Sequence, residues 1–250
     1  MYICKLIAKK DTKIKPMYND QYSPRKFNFL PPICKNLLII NVLMYLITIV
    51  LRSRGIDLVH YLGLHFFLAD SHHIWQYITY AFMHANFNHL FFNMFAIWMF
   101  GYTLENIWGP KRFIFFCFTA ALGAAFAQQI TYYFMYNDVV TAMREGVLYV
   151  NTGLDRMPIG DFLNQINTVG ASGIVFGLLL AFGMMFPNAY IYLYFLFPIK
   201  TKWFVIGFII LELFNGVFGT SAGVAHFAHL GGALAGFVLI MLWKKGKYRF

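Results

Sequence analysis

Long apolar stretches alternate with short polar segments along most of the chain. Several of these stretches approach the length of about 20 residues that an α-helix needs to cross a hydrocarbon core, and three shorter ones, the first, fourth and fifth, are assigned by pattern as well as length. The six stretches are predicted at residues 37–52, 85–105, 112–135, 170–186, 203–219 and 225–243. The stretches are continuously apolar, which favours helices over the alternating strands of a β-barrel. The pattern therefore predicts an all-α membrane protein with six transmembrane helices.

The segments between these stretches differ in character. Residues 53–84 mix aromatic with polar residues, which is typical of a segment that lies in the membrane interface. Residues 136–169 carry several charged residues and are predicted to be exposed to water throughout. Pro187 and Pro198 bracket an inner connection whose aromatic residues either lie at the interface or extend the fifth stretch.

The composition supports insertion into a membrane. Hydrophobic residues make up 60% of the chain and charged residues only 12%, against about 25% charged residues in soluble domains. The net charge is +10, and the 20 basic residues are unevenly distributed between the two sides of a protein with six spans. Four of them fall on one side, namely Arg52, Arg54, Arg144 and Arg156, and the others fall on the side of the two termini. The positive-inside rule therefore predicts that both termini are cytoplasmic. Basic residues that flank spans explain the charge without a nucleic-acid partner.

This topology divides the chain into three parts. We expect a basic cytoplasmic arm at residues 1–36, a six-helix domain at 37–243 and a short basic cytoplasmic tail at 244–250. The arm either binds anionic lipid or is solvated. No apolar signal sequence is evident before the first stretch, and the compact domain favours the inner membrane of a bacterium. The pattern does not indicate an oligomeric state.

Polar residues interrupt three of the stretches, where they are costly and usually face the protein interior. In the second stretch, His89 and Asn93 are four residues apart and therefore lie on one face of a helix. His84 is expected at the mouth of that helix or in the preceding loop. Considered alone, this pattern is equally typical of hydrogen bonds that only hold helices together.

The fourth stretch begins with Gly170, Ala171, Ser172 and Gly173. It is short for a span, so its helix would begin below the membrane surface, with free N–H groups near Ser172. These N–H groups and the helix dipole favour negative charge. Gly173 and Gly177 also form a GxxxG pattern, so helix packing alone would explain the small residues.

In the sixth stretch, His229, Gly232 and Gly236 lie along one stripe of a helix. The glycines allow close contact with another helix, and His229 would meet Ser172 if that helix is the fourth. His226 lies off this stripe and is expected in a loop or at the mouth of a cavity. His229 alone is also typical of a histidine that only hydrogen-bonds between helices.

Other catalytic chemistries find less support. His72 and His73 are adjacent and point in different directions, and no HExxH motif is present, so no metal site is predicted. Glu105 and Glu212 are the acidic residues in or near the stretches, and neither forms the carboxylate pair of an aspartyl protease. Glu105 is expected at a cytoplasmic helix end. No metal or organic cofactor is predicted.

Taken together, the three polar patches resemble the rhomboid family of intramembrane serine proteases. The resemblance rests on His84-x4-His89-x3-Asn93, Gly170-Ala171-Ser172-Gly173 and Ala228-His229-x2-Gly232-x3-Gly236, in this order on the second, fourth and sixth stretches. It covers roughly residues 37–243 and implies a six-transmembrane rhomboid bundle in the lipid bilayer. Its substrates would be transmembrane segments of other proteins.

The resemblance also implies a role for each residue. Ser172 would attack the scissile carbonyl, and His229 would act as general base and then as general acid, in a dyad without an acidic third member. An oxyanion hole would be formed by His89, Asn93 and the Ser172 N–H group. Residues that would support the site are His84, Gly170, Gly173, Phe176, Gly232 and Gly236.

Two residues depart from the family pattern. Gln76 follows Trp75 where the family often has arginine, and Phe176 stands where tyrosine is common, although its ring could still stack on His229. Two other functions are open. A non-catalytic rhomboid-like protein that binds membrane clients would be expected to lose the serine or the histidine, and both are present. A small transporter or channel would use buried polar residues, but it does not explain their order and spacing.

Overall fold

The computed structural model describes residues 27–151, 156–193, 196–219 and 225–245. Its helices are α1 (Pro32–Arg52), α2 (Leu58–Leu62), α3 (Gln76–Thr79), α4 (Phe87–Trp108), α5 (Pro110–Met135), α6 (Asn137–Arg144), α7 (Ile159–Gln165), α8 (Ser172–Met185), α9 (Thr201–Phe218) and α10 (His226–Lys245). Its strands are β1 (Leu64–His65), β2 (Tyr149–Asn151), β3 (Arg156–Pro158), β4 (Asn167–Thr168), β5 (Tyr190–Leu193) and β6 (Phe197–Lys200). Most of the predicted basic arm and the end of the predicted tail lie outside the described residues, so the three-part division of the chain stays a prediction.

Helices occupy all six stretches that were predicted to cross the membrane. Four of them, α1, α5, α9 and α10, are long and apolar enough to span it. The helix α4 has 22 residues but is not among these four, and α8 has only 14 residues, which corresponds to about 21 Å. The all-α membrane fold is confirmed, whereas the exact number of spans stays a prediction.

The ends of these helices follow from local residue chemistry. Pro32 lies in the first turn of α1, where the missing N–H group of proline costs nothing. The side chain of Asn86 caps α4 by accepting a hydrogen bond from the N–H group of His89 at 2.9 Å. Gly109, with φ +78°, separates α4 from α5 in a backbone conformation that favours glycine. Asn86 and Gly109 therefore mark the two ends of α4.

The helix α10 packs against α5, α8 and α9, and α8 packs against α4, α5, α9 and α10. Small residues let these helix backbones approach one another closely. Gly123 of α5 meets Ala235 of α10, and Ala120 and Ala124 of α5 lie against Gly177 and Gly173 of α8. Larger side chains fill the space between α4, α5, α8 and α10, among them Ile97, Phe116, Leu178 and Ile240.

Residues 53–84, which we call the first outer loop after the predicted topology, are tied to the bundle. Strand β1 of this loop pairs antiparallel with β4, which lies just before α8. Gln129 of α5 accepts a hydrogen bond from the N–H group of Phe67 at 3.0 Å and donates one to the carbonyl oxygen of His65 at 2.7 Å. The loop therefore has a defined position over the outer ends of α5 and α8.

Residues 136–169, which we call the second outer loop, are not exposed to water throughout, so the prediction of full exposure is wrong. The loop contains α6, β2, β3, α7 and β4, and apolar residues of these short elements pack onto the first outer loop and the end of α5. The buried residues of this small core are Phe66, Ala69, Tyr132, Val140, Ile159, Leu163 and Ile166. The loop carries charged residues, but its buried apolar side chains suffice to fold it.

The inner connection between α8 and α9 is a hairpin and does not extend a helix. Strands β5 and β6 pair antiparallel, with Ile191 opposite Ile199, and α9 begins only at Thr201. Pro198 lies within β6, where proline is compatible with an extended backbone but not with the interior of a helix.

Candidate active site

Ser172 is the first residue of α8. Two residues before it, Gly170 has φ +124°, a conformation that favours glycine. The N–H group of Gly170 donates a hydrogen bond to the carbonyl oxygen of Tyr80 at 2.9 Å, so the first outer loop supports the start of the helix. The N–H groups in the first turn of any helix have no acceptor within that helix. The Ser172 hydroxyl therefore lies beside free backbone donors.

His229 of α10 is directly beside this hydroxyl. Its Nε2 lies 2.8 Å from Ser172 Oγ. Its ring stacks on the ring of Phe176, with centroids 4.4 Å apart and planes at 6° to one another. Because Phe176 is one turn after Ser172 on α8, the stacking keeps the imidazole ring of His229 oriented toward the Ser172 hydroxyl.

The approach of α10 to α8 requires glycine at the contact. A methyl group on Gly232 would lie 2.2 Å from the carbonyl oxygen of Gly173, far inside van der Waals distance. A methyl group on Gly236 would lie 2.8 Å from the ring of Phe116 and 3.4 Å from the Cα atom of Gly177. The glycines that were predicted to bring the sixth stretch against the fourth therefore lie at that contact.

A buried carboxylate also reaches His229. Glu212 of α9 places its Oε2 atom 2.9 Å from His229 Nδ1 and 2.8 Å from His226 Nδ1. The prediction that serine and histidine have no acidic partner is therefore wrong. It failed because the rotation of α9 relative to α10 is decided by packing between helices, which the spacing of residues within α9 does not encode. One signal was available, since Glu212 is the acidic residue inside an apolar stretch and needs a partner there.

His226 is the first residue of α10, and it is not in a loop. It is buried, and it also lines a cavity of about 400 Å³ at the outer ends of α5, α9 and α10. Other polar residues that line this cavity are Gln128, Tyr132, Asn167, Thr168 and Asn215.

His89 and Asn93 lie on α4, which packs against α8. A methyl group on Gly170 would lie 2.6 Å from His89 Nε2 and 3.7 Å from Ser172 Oγ, so the ring of His89 is adjacent to the serine. Asn93 is buried, and its Nδ2 atom has no hydrogen-bond acceptor among the described residues. A buried donor without an acceptor is costly in a folded protein, and it is the kind of group that can stabilise an oxyanion.

His84 precedes α4 and packs on His89. The two rings are T-shaped, with centroids 5.1 Å apart. Burial lowers the pKa of His84 to about 3, and the neighbouring His89 contributes to the decrease, so His84 is neutral at pH 7. Its contact with the site is therefore one of packing and not of charge.

Gln76, which stands where arginine is common in the family, organises the first outer loop. Its side chain is completely buried. Its Oε1 atom accepts hydrogen bonds from the N–H groups of His65 and His73 at 3.2 and 3.1 Å. Its Nε2 atom donates to the carbonyl oxygens of Ser71 and Tyr61 at 2.8 and 3.3 Å. This role could not be predicted from residue types or spacing, because the four partners are backbone groups.

Among the described residues, one group could hold a metal ion, and it consists of Glu212, His226 and His229. Their ligand atoms lie within 4.8 Å of one another. Hydrogen bonds from both imidazoles to the shared carboxylate account for the arrangement, so the geometry does not require an ion.

Comparison with known proteins gives two matches. The family model described as the rhomboid domain matches residues 71–245, a range that includes every residue of this site. RHOMBOID-like protein 12, mitochondrial, of Arabidopsis thaliana is 28% identical over 176 residues, which is 69% of this chain and 47% of that protein. The chain therefore spans about half the length of this curated relative.

Proposed function

The chain belongs to the rhomboid family, and from this premise we propose that it is an intramembrane serine endopeptidase. The observation that carries the proposal is the distance of 2.8 Å between Ser172 Oγ and His229 Nε2. A serine hydroxyl that donates its hydrogen bond to an oriented imidazole is the arrangement that activates serine as a nucleophile.

In the proposed reaction, Ser172 Oγ attacks the scissile carbonyl carbon as its proton passes to His229 Nε2. The negatively charged oxygen of the tetrahedral intermediate accepts hydrogen bonds from the Ser172 N–H group, Asn93 Nδ2 and His89. When the C–N bond breaks, His229 donates the proton to the leaving amine and an acyl-enzyme ester remains. His229 then takes a proton from water as the water oxygen attacks the ester carbon, and the C–Oγ bond breaks as His229 returns the proton to Ser172 Oγ.

The proposed substrates are transmembrane helices of other proteins. The shortness of α8 supports this choice, because 14 residues are too few for a full span and Ser172 at its start would lie below the membrane surface. A peptide bond within an intact helix is shielded from attack, since its carbonyl oxygen is hydrogen-bonded one turn away. Helix-breaking residues near the outer end of a substrate should therefore favour cleavage.

We further propose that both termini are cytoplasmic, so that Ser172 faces the opposite side. The distribution of lysine and arginine supports this orientation. The compact domain favours a bacterial inner membrane, whereas the matching plant relative is named as mitochondrial. A reporter enzyme that is active only in the cytoplasm, fused after the last residue, tests the orientation: activity is expected, and an inactive but intact fusion would refute it.

A client-binding protein without catalysis is the alternative function, and a fluorophosphonate probe distinguishes the two. The probe should label Ser172 in the wild type and should label neither Ser172→Ala nor His229→Ala. Ser53→Ala is the matched control, because Ser53 lies at the end of α1 and donates only to the carbonyl oxygen of Val50. Folded wild-type protein that captures transmembrane segments but is not labelled would favour client binding.

A further inference from the structure

We infer that Glu212 is a positioning residue for His229, so that this chain operates with a Ser172–His229–Glu212 relay and not with a serine–histidine pair alone. The inference rests on the proposed protease function. It begins from the position of Glu212, which lies on α9, whereas the other two residues lie on α8 and α10. The carboxylate is 8% exposed, and its Oε2 atom is 2.9 Å from His229 Nδ1.

The first consequence concerns the tautomer of His229. An ionised carboxylate only accepts hydrogen bonds, so Nδ1 of His229 must carry the proton of this contact. In the neutral imidazole, Nε2 is then an acceptor, and Nε2 is the atom that lies 2.8 Å from Ser172 Oγ. Glu212 therefore selects the tautomer that can receive the serine proton.

The second consequence concerns charge. When His229 takes the proton from Ser172 it becomes an imidazolium cation, which is costly in a buried site away from water. The Glu212 carboxylate, in hydrogen-bond contact with the ring, offsets this cost in the transition state more than in the ground state. An interaction that strengthens in the transition state raises kcat and leaves KM nearly unchanged.

His226 helps to hold the carboxylate. Its Nδ1 donates to the same Oε2 atom at 2.8 Å, from one turn before His229 on α10. Two donors on one oxygen restrict rotation of the carboxylate, so that the oxygen stays aligned with His229. The Nε2 atom of His226 has no hydrogen-bond partner among the described residues, so the ring is held there by its contact with Glu212.

The experiment compares Glu212→Ala and Glu212→Asp with the wild type, as full-length proteins in proteoliposomes. The substrate is a reporter whose transmembrane helix carries glycine and proline near its outer end. Glu212→Ala is expected to lower kcat by about 10²–10³-fold with little change in KM, since acid–base catalysis by an oriented group contributes about 10²–10⁴-fold. Glu212→Asp keeps the charge and should recover most of the lost rate.

Glu105→Gln is the matched control. Glu105 is also a buried carboxylate, but it accepts hydrogen bonds from the N–H groups of Ile33 and Cys34 at 2.9 and 2.7 Å, at the start of α1. Its substitution should lower the unfolding temperature and leave kcat unchanged. If kcat falls in Glu212→Ala but not in Glu105→Gln, the decrease therefore cannot be attributed to the loss of stability that both variants share.

A spectroscopic measurement separates the role in positioning from a structural role. In protein labelled with ¹⁵N-histidine, His229 of the wild type should show a protonated Nδ1 and an unprotonated Nε2. Glu212→Ala should show a mixture of both tautomers. The wild-type tautomer persisting in Glu212→Ala, together with an unchanged kcat, would overturn the inference.

Two outcomes separate this inference from the proposed function. Cleavage by Ser172→Ala would refute the protease assignment itself. Cleavage that needs Ser172 but proceeds at the wild-type kcat in Glu212→Ala would refute only the role of Glu212. If a chelator abolished wild-type activity and Zn²⁺ restored it, the cluster would be a metal site and the relay would be refuted as well.

Discussion

The substitution Gly232→Ala tests whether the close contact between α10 and α8 positions the site. The added methyl group is the smallest possible change, and alanine favours helix by about 1 kcal/mol over glycine. In an uncrowded helix the substitution would therefore stabilise the protein. Here the new Cβ atom would lie 2.2 Å from the carbonyl oxygen of Gly173 and 2.9 Å from its Cα atom.

The structure sets the size of the effect. Ordinary contacts of a Cβ atom begin at 3.4 Å, so α10 must move away from α8 by about 1 Å. The Ser172–His229 hydrogen bond of 2.8 Å would then exceed hydrogen-bond distance. A misplacement of 1 Å costs about 10²-fold in rate, and overpacking of a core costs about 1–3 kcal/mol in the free energy of unfolding. Both losses are expected for Gly232→Ala.

The assay measures the rate of Ser172 labelling by a fluorophosphonate and the unfolding temperature in detergent. Gly207→Ala is the matched control, because Gly207 lies on α9 with no atom within 4 Å of an added methyl group. The control should keep the wild-type labelling rate and unfold at the same or a slightly higher temperature. If Gly232→Ala behaves like Gly207→Ala in both measurements, the helices do not approach as described and the reasoning is refuted.

Substitutions at three further residues test separate parts of the structure. Asn93→Ala should lower kcat by about 10²–10³-fold at constant KM, since the unpartnered Nδ2 is free for the oxyanion; an unchanged kcat would remove Asn93 from that role. Gln76→Met should cost about 2–3 kcal/mol, measured by thermal unfolding, because four backbone partners lose their hydrogen bonds. Phe176→Leu should lower kcat by up to about tenfold through loss of stacking on His229, whereas Phe176→Tyr should retain the rate; equal rates in both variants would refute a role for the ring.

The positions of the helices could be predicted from the sequence because hydrophobic length and glycine spacing are local signals. The fourth stretch was expected to begin at residue 170, and α8 begins at Ser172. The stripe of His229, Gly232 and Gly236 predicted a close helix contact with His229 on the same side. Ser172 and His229 are brought together at that contact.

Other features depend on how distant segments meet, and residue spacing does not contain that information. The partnership of Glu212 with His229 depends on the rotation of α9 against α10. The folding of the second outer loop depends on Phe66 and Tyr132, which belong to other parts of the chain. The buried role of Gln76 depends on backbone groups, whose positions are known only once the loop is folded.

The most direct test of the proposed protease function measures cleavage of the transmembrane reporter in proteoliposomes. It compares wild-type protein with Ser172→Ala and His229→Ala, and the products are identified by mass spectrometry. The wild type should cut within or beside the transmembrane helix of the reporter, and neither variant should do so, although both are folded. Cleavage by folded Ser172→Ala or His229→Ala at the wild-type rate would contradict the proposed function.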